Sequence, residues 1–244
     1  LTWLVAHRGG AALEMENTER AFDRACEFPV DGLECDLQLS KDGVPLLFHD
    51  RSLFKFKLAE QRIKNFTWHE LQNFKTQTYK KWKISGEFFL SYERFLERYN
   101  KQSRLFIELK SRVGDRVDGT SEKLLKAVLK VHHKNKPSKK TIFMSFDATL
   151  MKQAHEKLSA YQHIQLAEDP EDLKQKYLDD FFGIGLPLQK VNPSIVDKFQ
   201  KRGLKVLVYT CNGPRQLKMM KKCGVDIIVS DRPDWLTQAW SGLS

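Results

Sequence analysis

At 244 residues the chain suits one domain of barrel size and is long enough to bury a sizeable core. Lys and Arg outnumber Asp and Glu by 41 to 31, and the resulting net charge of +10 favours anionic partners: phosphorylated metabolites, lipid headgroups or nucleic acid. No apolar run approaches the roughly 20 residues of a membrane span, and the four cysteines show no Cys-x-x-Cys or zinc spacing. Reduced thiols in a cytoplasm are the default reading. A start at Leu1 rather than methionine leaves a removed signal peptide, and so a periplasmic or secreted protein, open.

Residues 3–7 read as a short buried strand that ends in His7-Arg8-Gly9, with a long first loop to Glu16. Asn17 or Thr18 can cap a helix through Ala21, Phe22 and Ala25, which Pro29 stops. Residues 33–39 read as a second strand. Alternation puts Glu34 and Asp36 on one face and Leu33, Cys35 and Leu37 on the other. The turn signal Ser40-Lys41-Asp42-Gly43 predicts a hairpin with residues 44–48, which brings His49 back toward Glu34.

Residues 51–89 are too long for an ordinary connection and read as an insertion at about 51–90. Its aromatics (Phe54, Phe56, Phe66, Trp68, Phe74, Tyr79, Trp82, Phe88, Phe89) interleave with Lys55, Lys57, Lys64, Lys75, Lys80, Lys81 and Lys83. A miniature aromatic core under a lysine-rich face is the plain reading. A lipid surface, an acyl chain or single-stranded nucleic acid would also suit the interleaving, but no strongly amphipathic membrane helix stands out. Thr67 and Glu70 form a capping box for a short helix, and residues 91–99 read as a helix with Phe95 and Leu96 inward.

From Leu105-Phe106-Ile107-Glu108-Leu109-Lys110 onward the rhythm is regular, and Glu108 shares a strand face with Lys110. Strands at 141–145, 163–167, 181–186, 204–209 and 225–230 alternate with helices at 121–132, after Asp147, after Asp169-Pro170, at 193–200, at 213–223 and after Asp231-Arg232-Pro233. Residues 132–140 read as a basic solvated loop. Eight strand–helix units over 1–244 predict a single α/β domain, a (β/α)8 TIM barrel with a small helical insertion after the second β unit.

Charged side chains at strand ends mark the rim where such barrels carry their sites. Glu34, Asp36 and Glu108 read as one metal site: oxygen ligands suit Mg2+ or Ca2+, and three of them leave positions open for water and substrate. His7 and His49 beside them read as a general acid–base pair, since imidazole titrates near neutrality. His7 is assigned as base and His49 as acid, an order the residues alone do not fix. Arg8 and Lys110 suit a phosphodiester anion. Ser145 and Asp231 end strands and read as structural, and Asp50 as orienting a catalytic side chain or pairing with an arginine.

The ordered set His7-Arg8-Gly9, Glu16-Asn17-Thr18, Glu34-x-Asp36, His49-Asp50, Glu108-x-Lys110, Ser145-Phe146-Asp147, Tyr209-Thr210-Cys211-Asn212, Gly224-Val225-Asp226 and Ser230-Asp231-Arg232-Pro233 resembles the glycerophosphodiester phosphodiesterases (GDPD). The resemblance implies a metal-dependent (β/α)8 phosphodiesterase that releases an alcohol and sn-glycerol 3-phosphate, with attack by the neighbouring glycerol hydroxyl or by water. It adds Asn17 as a bridge from the first loop to the phosphate and Tyr209, where the family commonly has tryptophan, as a stacking partner for the glycerol. Met15 in place of a proline, and Leu90-Ser91-Tyr92-Glu93 at the later helix start, depart from the family pattern near the insertion and bear on which alcohol is accepted. Two other readings compete: lysophospholipase D-like cleavage of lysophospholipids at an anionic membrane surface, and a catalytically silent basic binding barrel. Nucleic acid is not the expected partner, and the sequence does not fix the oligomeric state.

Overall fold

The structure is a computed structural model that describes residues 1–56, 61–73, 89–101 and 103–242, the Lys55 side chain aside. Among these residues eight parallel strands close into a barrel: β1 (Trp3–Ala6), β2 (Gly32–Leu39), β5 (Arg104–Leu109), β6 (Thr141–Ser145), β7 (Gln162–Leu166), β8 (Gly183–Pro187), β9 (Lys205–Tyr209) and β10 (Ile227–Ser230). β1 pairs with both β10 and β2, which shuts the ring. Two short antiparallel strands, β3 (Pro45–Leu47) and β4 (Leu90–Ser91), hang from β2 as the hairpin and its continuation.

Strand alternation sorts the core into two layers. Val5, Phe106, Ile142, Ile164, Leu207 and Ile227 fill the barrel lumen. Leu33, Cys35, Ile107, Phe143, Val208 and Ile228 face outward under the helices. That shell comprises α1 (Glu19–Ala25), α3 (Tyr92–Tyr99), α5 (Thr120–Asn135), α6 (Ala148–Lys157), α8 (Pro193–Gln200), α9 (Pro214–Cys223) and α10 (Pro233–Ser241); α2 (Trp68–Gln72), α4 (Val113–Val117) and α7 (Gln175–Leu178) are single turns or little more. Thr18, not Asn17, caps α1: its hydroxyl accepts from the Ala21 amide at 3.3 Å. Gly9 lies at φ +80°, and a Cβ there would sit 2.9 Å from the Ala21 carbonyl carbon, so only glycine lets the first loop lie flat on α1.

In the insertion, Leu46, Phe48, Leu53, Ile63, Leu71 and Phe89 bury one another together with Met15, and Phe56, Phe66 and Trp68 pack around them. This is a miniature core, with Phe54 left exposed. Lys64 is taken up by Asp115 at 2.9 Å and Asp118 at 2.7 Å. Thr67 and Glu70 form the expected capping box. Phe74, Tyr79, Trp82, Phe88 and Lys57, Lys75, Lys80, Lys81 and Lys83 lie outside the described residues.

Two expectations need correction. Residues 132–140 are not all solvated loop: α5 runs on to Asn135, and His132 is buried, its Nε2 2.7 Å from the Tyr92 hydroxyl and its ring packed on Tyr92, Phe143 and Tyr161. Asp169-Pro170 opens only a 3-10 turn, Pro170–Asp172, because Leu173 goes extended to bury its side chain.

A second imidazole, His163, is 1% exposed on the outward face of β7, between Phe143 and His155, and neither ring nitrogen makes a well-formed hydrogen bond. Burial, and then the nearby His155, lower its pKa from 6.5 to about 4, against a smaller opposing pull from the Tyr161 and Ala154 carbonyls. The unfolded chain binds a proton near 6.5 and the folded one only near 4, so His163 contributes stability above that window that is lost as pH falls through it, about 3 kcal/mol in full. In urea unfolding at pH 7 and pH 4.5, His163→Phe is expected to shrink the stability difference between the two pH values by about 2–3 kcal/mol. An undiminished difference would remove His163 from the acid response.

Candidate active site

The register of β2 against β5 sets Asp36 beside Glu108, and both face the lumen with Glu34. Oxygens of the three carboxylates lie within 4.8 Å of one another, at 3%, 0% and 8% exposure for Glu34, Asp36 and Glu108. Lys110, one alternate step beyond Glu108, places its Nζ 3.0 Å from Asp36 Oδ1 and 2.8 Å from Glu108 Oε1. Arg8 sets its Nε 3.3 Å from Asp36 and its Nη1 2.8 Å from Glu16. Arg8 sits at φ 51° and Asn17 at φ 59°, the left-handed region that side chains rarely occupy. There the Arg8 amide donates to Glu34 Oε2 at 2.9 Å, and the Asn17 side-chain amide donates to Asp36 Oδ2 at 2.8 Å. Asn17 is thus buried against a carboxylate rather than lining the cavity.

The electrostatics separate the three acids. Burial alone would raise the Asp36 carboxyl, but Lys110 and Arg8 outweigh it and hold Asp36 well below the usual carboxylate range. Burial raises Glu108, with Lys110 opposing. Burial and then the Asp36 charge push Glu34 well above the usual range, against Arg8. Among the described residues its nearest partners are the Arg8 amide and His7 Nε2, 3.9 Å away. Three buried carboxylates therefore face two cations, and Asp36 Oδ1 lacks a hydrogen bond of good geometry. All-oxygen donors with surplus negative charge fit a hard divalent cation. A second cluster, Glu16, His49 and Asp50, is only half-buried, and Arg8 and His49 already engage its two acids.

The two histidines stand at the same mouth. His7 Nδ1 is 2.5 Å from Asp231 Oδ1, and His49 Nδ1 is 3.0 Å from Asp50 Oδ1. A carboxylate on Nδ1 fixes each ring and leaves Nε2 for chemistry. Asp231, read from sequence as structural, is the residue that reasoning missed; the available signal was its place at the end of the last strand, level with His7. Asn212 holds it in turn, donating to Oδ2 at 2.6 Å and accepting from the Asp231 amide at 2.9 Å. Arg112 also escaped notice: its guanidinium donates to the His49 carbonyl at 3.0 Å. Ser145 donates to the Leu109 carbonyl and ties strands together.

These groups open on one cavity of about 630 Å³. The lining from the ends of β1, β2, β3 and β5 is polar (His7, Arg8, Glu34, His49, Glu108 and Lys110), and that from the ends of β6, β7 and β9, farther round the ring, is apolar but for Glu168 (Met144, Phe146, Leu166, Leu207 and Tyr209). The cavity thus has a polar wall and an apolar one.

The family model for the glycerophosphoryl diester phosphodiesterase family matches residues 7–235. The chain is 29% identical to a glycerophosphodiester phosphodiesterase of Caldanaerobacter subterraneus over 96% of each chain. It is 25% identical to one of Bacillus subtilis over 94% of this chain and 83% of that one. An Oleispira antarctica phosphodiesterase, solved in complex with the product sn-glycerol-3-phosphate, shares the fold with a TM-score of 0.87 at 23% identity over 99% of this chain and 97% of that one. A family match from residue 7 to residue 235, over nearly the whole barrel, has one conclusion: the chain belongs to the glycerophosphoryl diester phosphodiesterase family.

Proposed function

We propose that this protein is a metal-dependent hydrolase of glycerophosphodiesters that yields an alcohol and sn-glycerol 3-phosphate by histidine acid–base catalysis. The observation that carries the reading is one cavity lined by Glu34, Glu108, Arg8, Lys110 and two carboxylate-held imidazoles, with Asp36 buried against the other two acids. The product held by the Oleispira relative supports it. Glu34, Asp36 and Glu108 would hold Mg2+ or Ca2+, which supplies Lewis-acid charge to a phosphoryl oxygen.

The chain's own groups do the rest. Arg8 and Lys110 attract the phosphodiester anion and offset the charge that grows on it. His7, with Asp231 on Nδ1, accepts at Nε2 the proton of the nucleophile, which is water or the neighbouring glycerol hydroxyl; in the second case the alcohol leaves a cyclic phosphate, and water then opens it to glycerol 3-phosphate. His49, braced by Asp50, donates a proton to the departing alkoxide as the P–O bond breaks.

Incubation with glycerophosphocholine, followed by phosphorus NMR, is expected to show glycerol 3-phosphate. Phosphocholine as the product would overturn the reading. Lysophosphatidylcholine turned over as well as glycerophosphocholine would favour the lysolipid alternative, which nothing among the described insertion residues supports beyond the exposed Phe54.

A further inference from the structure

The apolar wall carries one charge that the reaction does not use. Glu168 lies two residues past the lumen-facing Leu166 of β7, on the same face, and lines the mouth of the cavity in the open. In a chain with a net charge of +10, no lysine or arginine among the described residues pairs with it, whereas its neighbour Asp169 is taken by Lys190. The Tyr209 hydroxyl donates to the Ala167 carbonyl at 2.8 Å, which anchors the backbone next to Glu168. Tyr209 and Phe146 meet edge to face, ring centroids 6.0 Å apart and planes at 79°, so the two rings form a corner in the same cavity. Phe146 remains 38% exposed there, so its ring is accessible from the cavity.

An aromatic corner beside a free carboxylate attracts an organic cation, by ring quadrupole and by charge. Arg51 and Arg112 line the same cavity and repel such a group, leaving the Glu168 wall as its place. The phosphate-binding cations Arg8 and Lys110 stand on the polar wall of the same cavity, so a substituent on the phosphorus reaches this wall.

We propose that Glu168, with the rings of Phe146 and Tyr209, forms a cation subsite that selects glycerophosphodiesters whose alcohol carries an ammonium group. This rests on the reaction proposed above and adds its substrate class.

The test compares glycerophosphocholine with glycerophosphoglycerol, whose alcohol is uncharged, in the parent and in Glu168→Gln and Phe146→Leu. The parent is expected to prefer the choline ester. Glu168→Gln is expected to lower kcat/KM for that ester about five- to tenfold more than for the neutral one, chiefly through KM. Equal losses on both esters would overturn the proposal, because Glu168 would then serve the glycerol that they share or the fold alone. Choline observed by saturation-transfer NMR is the second readout: contact with the parent that weakens in both variants supports the subsite, and no contact with the parent overturns it. If neither ester is cleaved, the reaction is wrong, and choline contact still decides the subsite by itself.

Discussion

His49→Ala is expected to lower kcat on glycerophosphocholine by about a thousandfold, in the range usual for a positioned proton donor, with little loss of stability. His49 follows β3 at the cavity mouth, a third of its side chain exposed, and its Nδ1 lies 3.0 Å from Asp50, so truncation widens the site rather than opening a cavity in the core. The chemistry makes the prediction specific. A choline alkoxide cannot leave without a proton, whereas p-nitrophenolate can. On a glycerophosphodiester of p-nitrophenol the His49→Ala loss is expected to shrink to about tenfold, while His7→Ala stays about a thousandfold down on both substrates, since a base is needed whatever leaves. Rescue of His7→Ala instead would exchange the two assignments. Turnover of His49→Ala within about tenfold of the parent on the choline ester would take His49 out of the mechanism.

How far the sequence reaches toward this site depends on the length scale of each contact. The carboxylate trio is readable because alternation is local: Glu34 and Asp36 must share a face, as must Glu108 and Lys110, and barrel closure then needs only the adjacency of β2 and β5. The hairpin that returns His49 is likewise written in a turn of four residues. Asp231 is a different case. It meets His7 only because β10 closes on β1, across almost the whole chain, and nothing local marks which strand-end acid faces an imidazole. His132 shows the reverse failure. Its neighbours His133, Lys134 and Lys136 suggest solvent, yet one helical face carries it into a cluster with Tyr92, Phe143 and Tyr161, residues supplied by three other segments. Glu168 is hidden for a third reason: a charge is informative only when its missing partner can be seen.

Removal of divalent cation with a chelator is expected to lower turnover at least about a thousandfold, and Mg2+ or Ca2+ to restore it. Lys110 bridges Asp36 and Glu108, and Arg8 is shared between Asp36 and Glu16, so the two cations in contact with the trio are committed. Among the described residues Glu34 accepts only the Arg8 backbone amide, with the His7 imidazole 3.9 Å away. A phosphodiester anion entering that mouth would meet this surplus negative charge, and Arg8 and Lys110 cannot neutralise carboxylates and phosphate at once. A dication resolves the conflict and frees both cations for the substrate. The same reasoning predicts a readout apart from turnover: at a hundredfold excess over its Kd, the cation should stabilise the folded chain by about 2.7 kcal/mol in urea unfolding. Glu34→Gln keeps the shape and the Arg8 contact region but removes one charge, so it should weaken cation binding about a hundredfold by calorimetry and lose most of that stabilisation. Turnover indifferent to chelation, or a Glu34→Gln variant that binds the cation as tightly as the parent, would show that these carboxylates are satisfied by Lys110 and Arg8 alone.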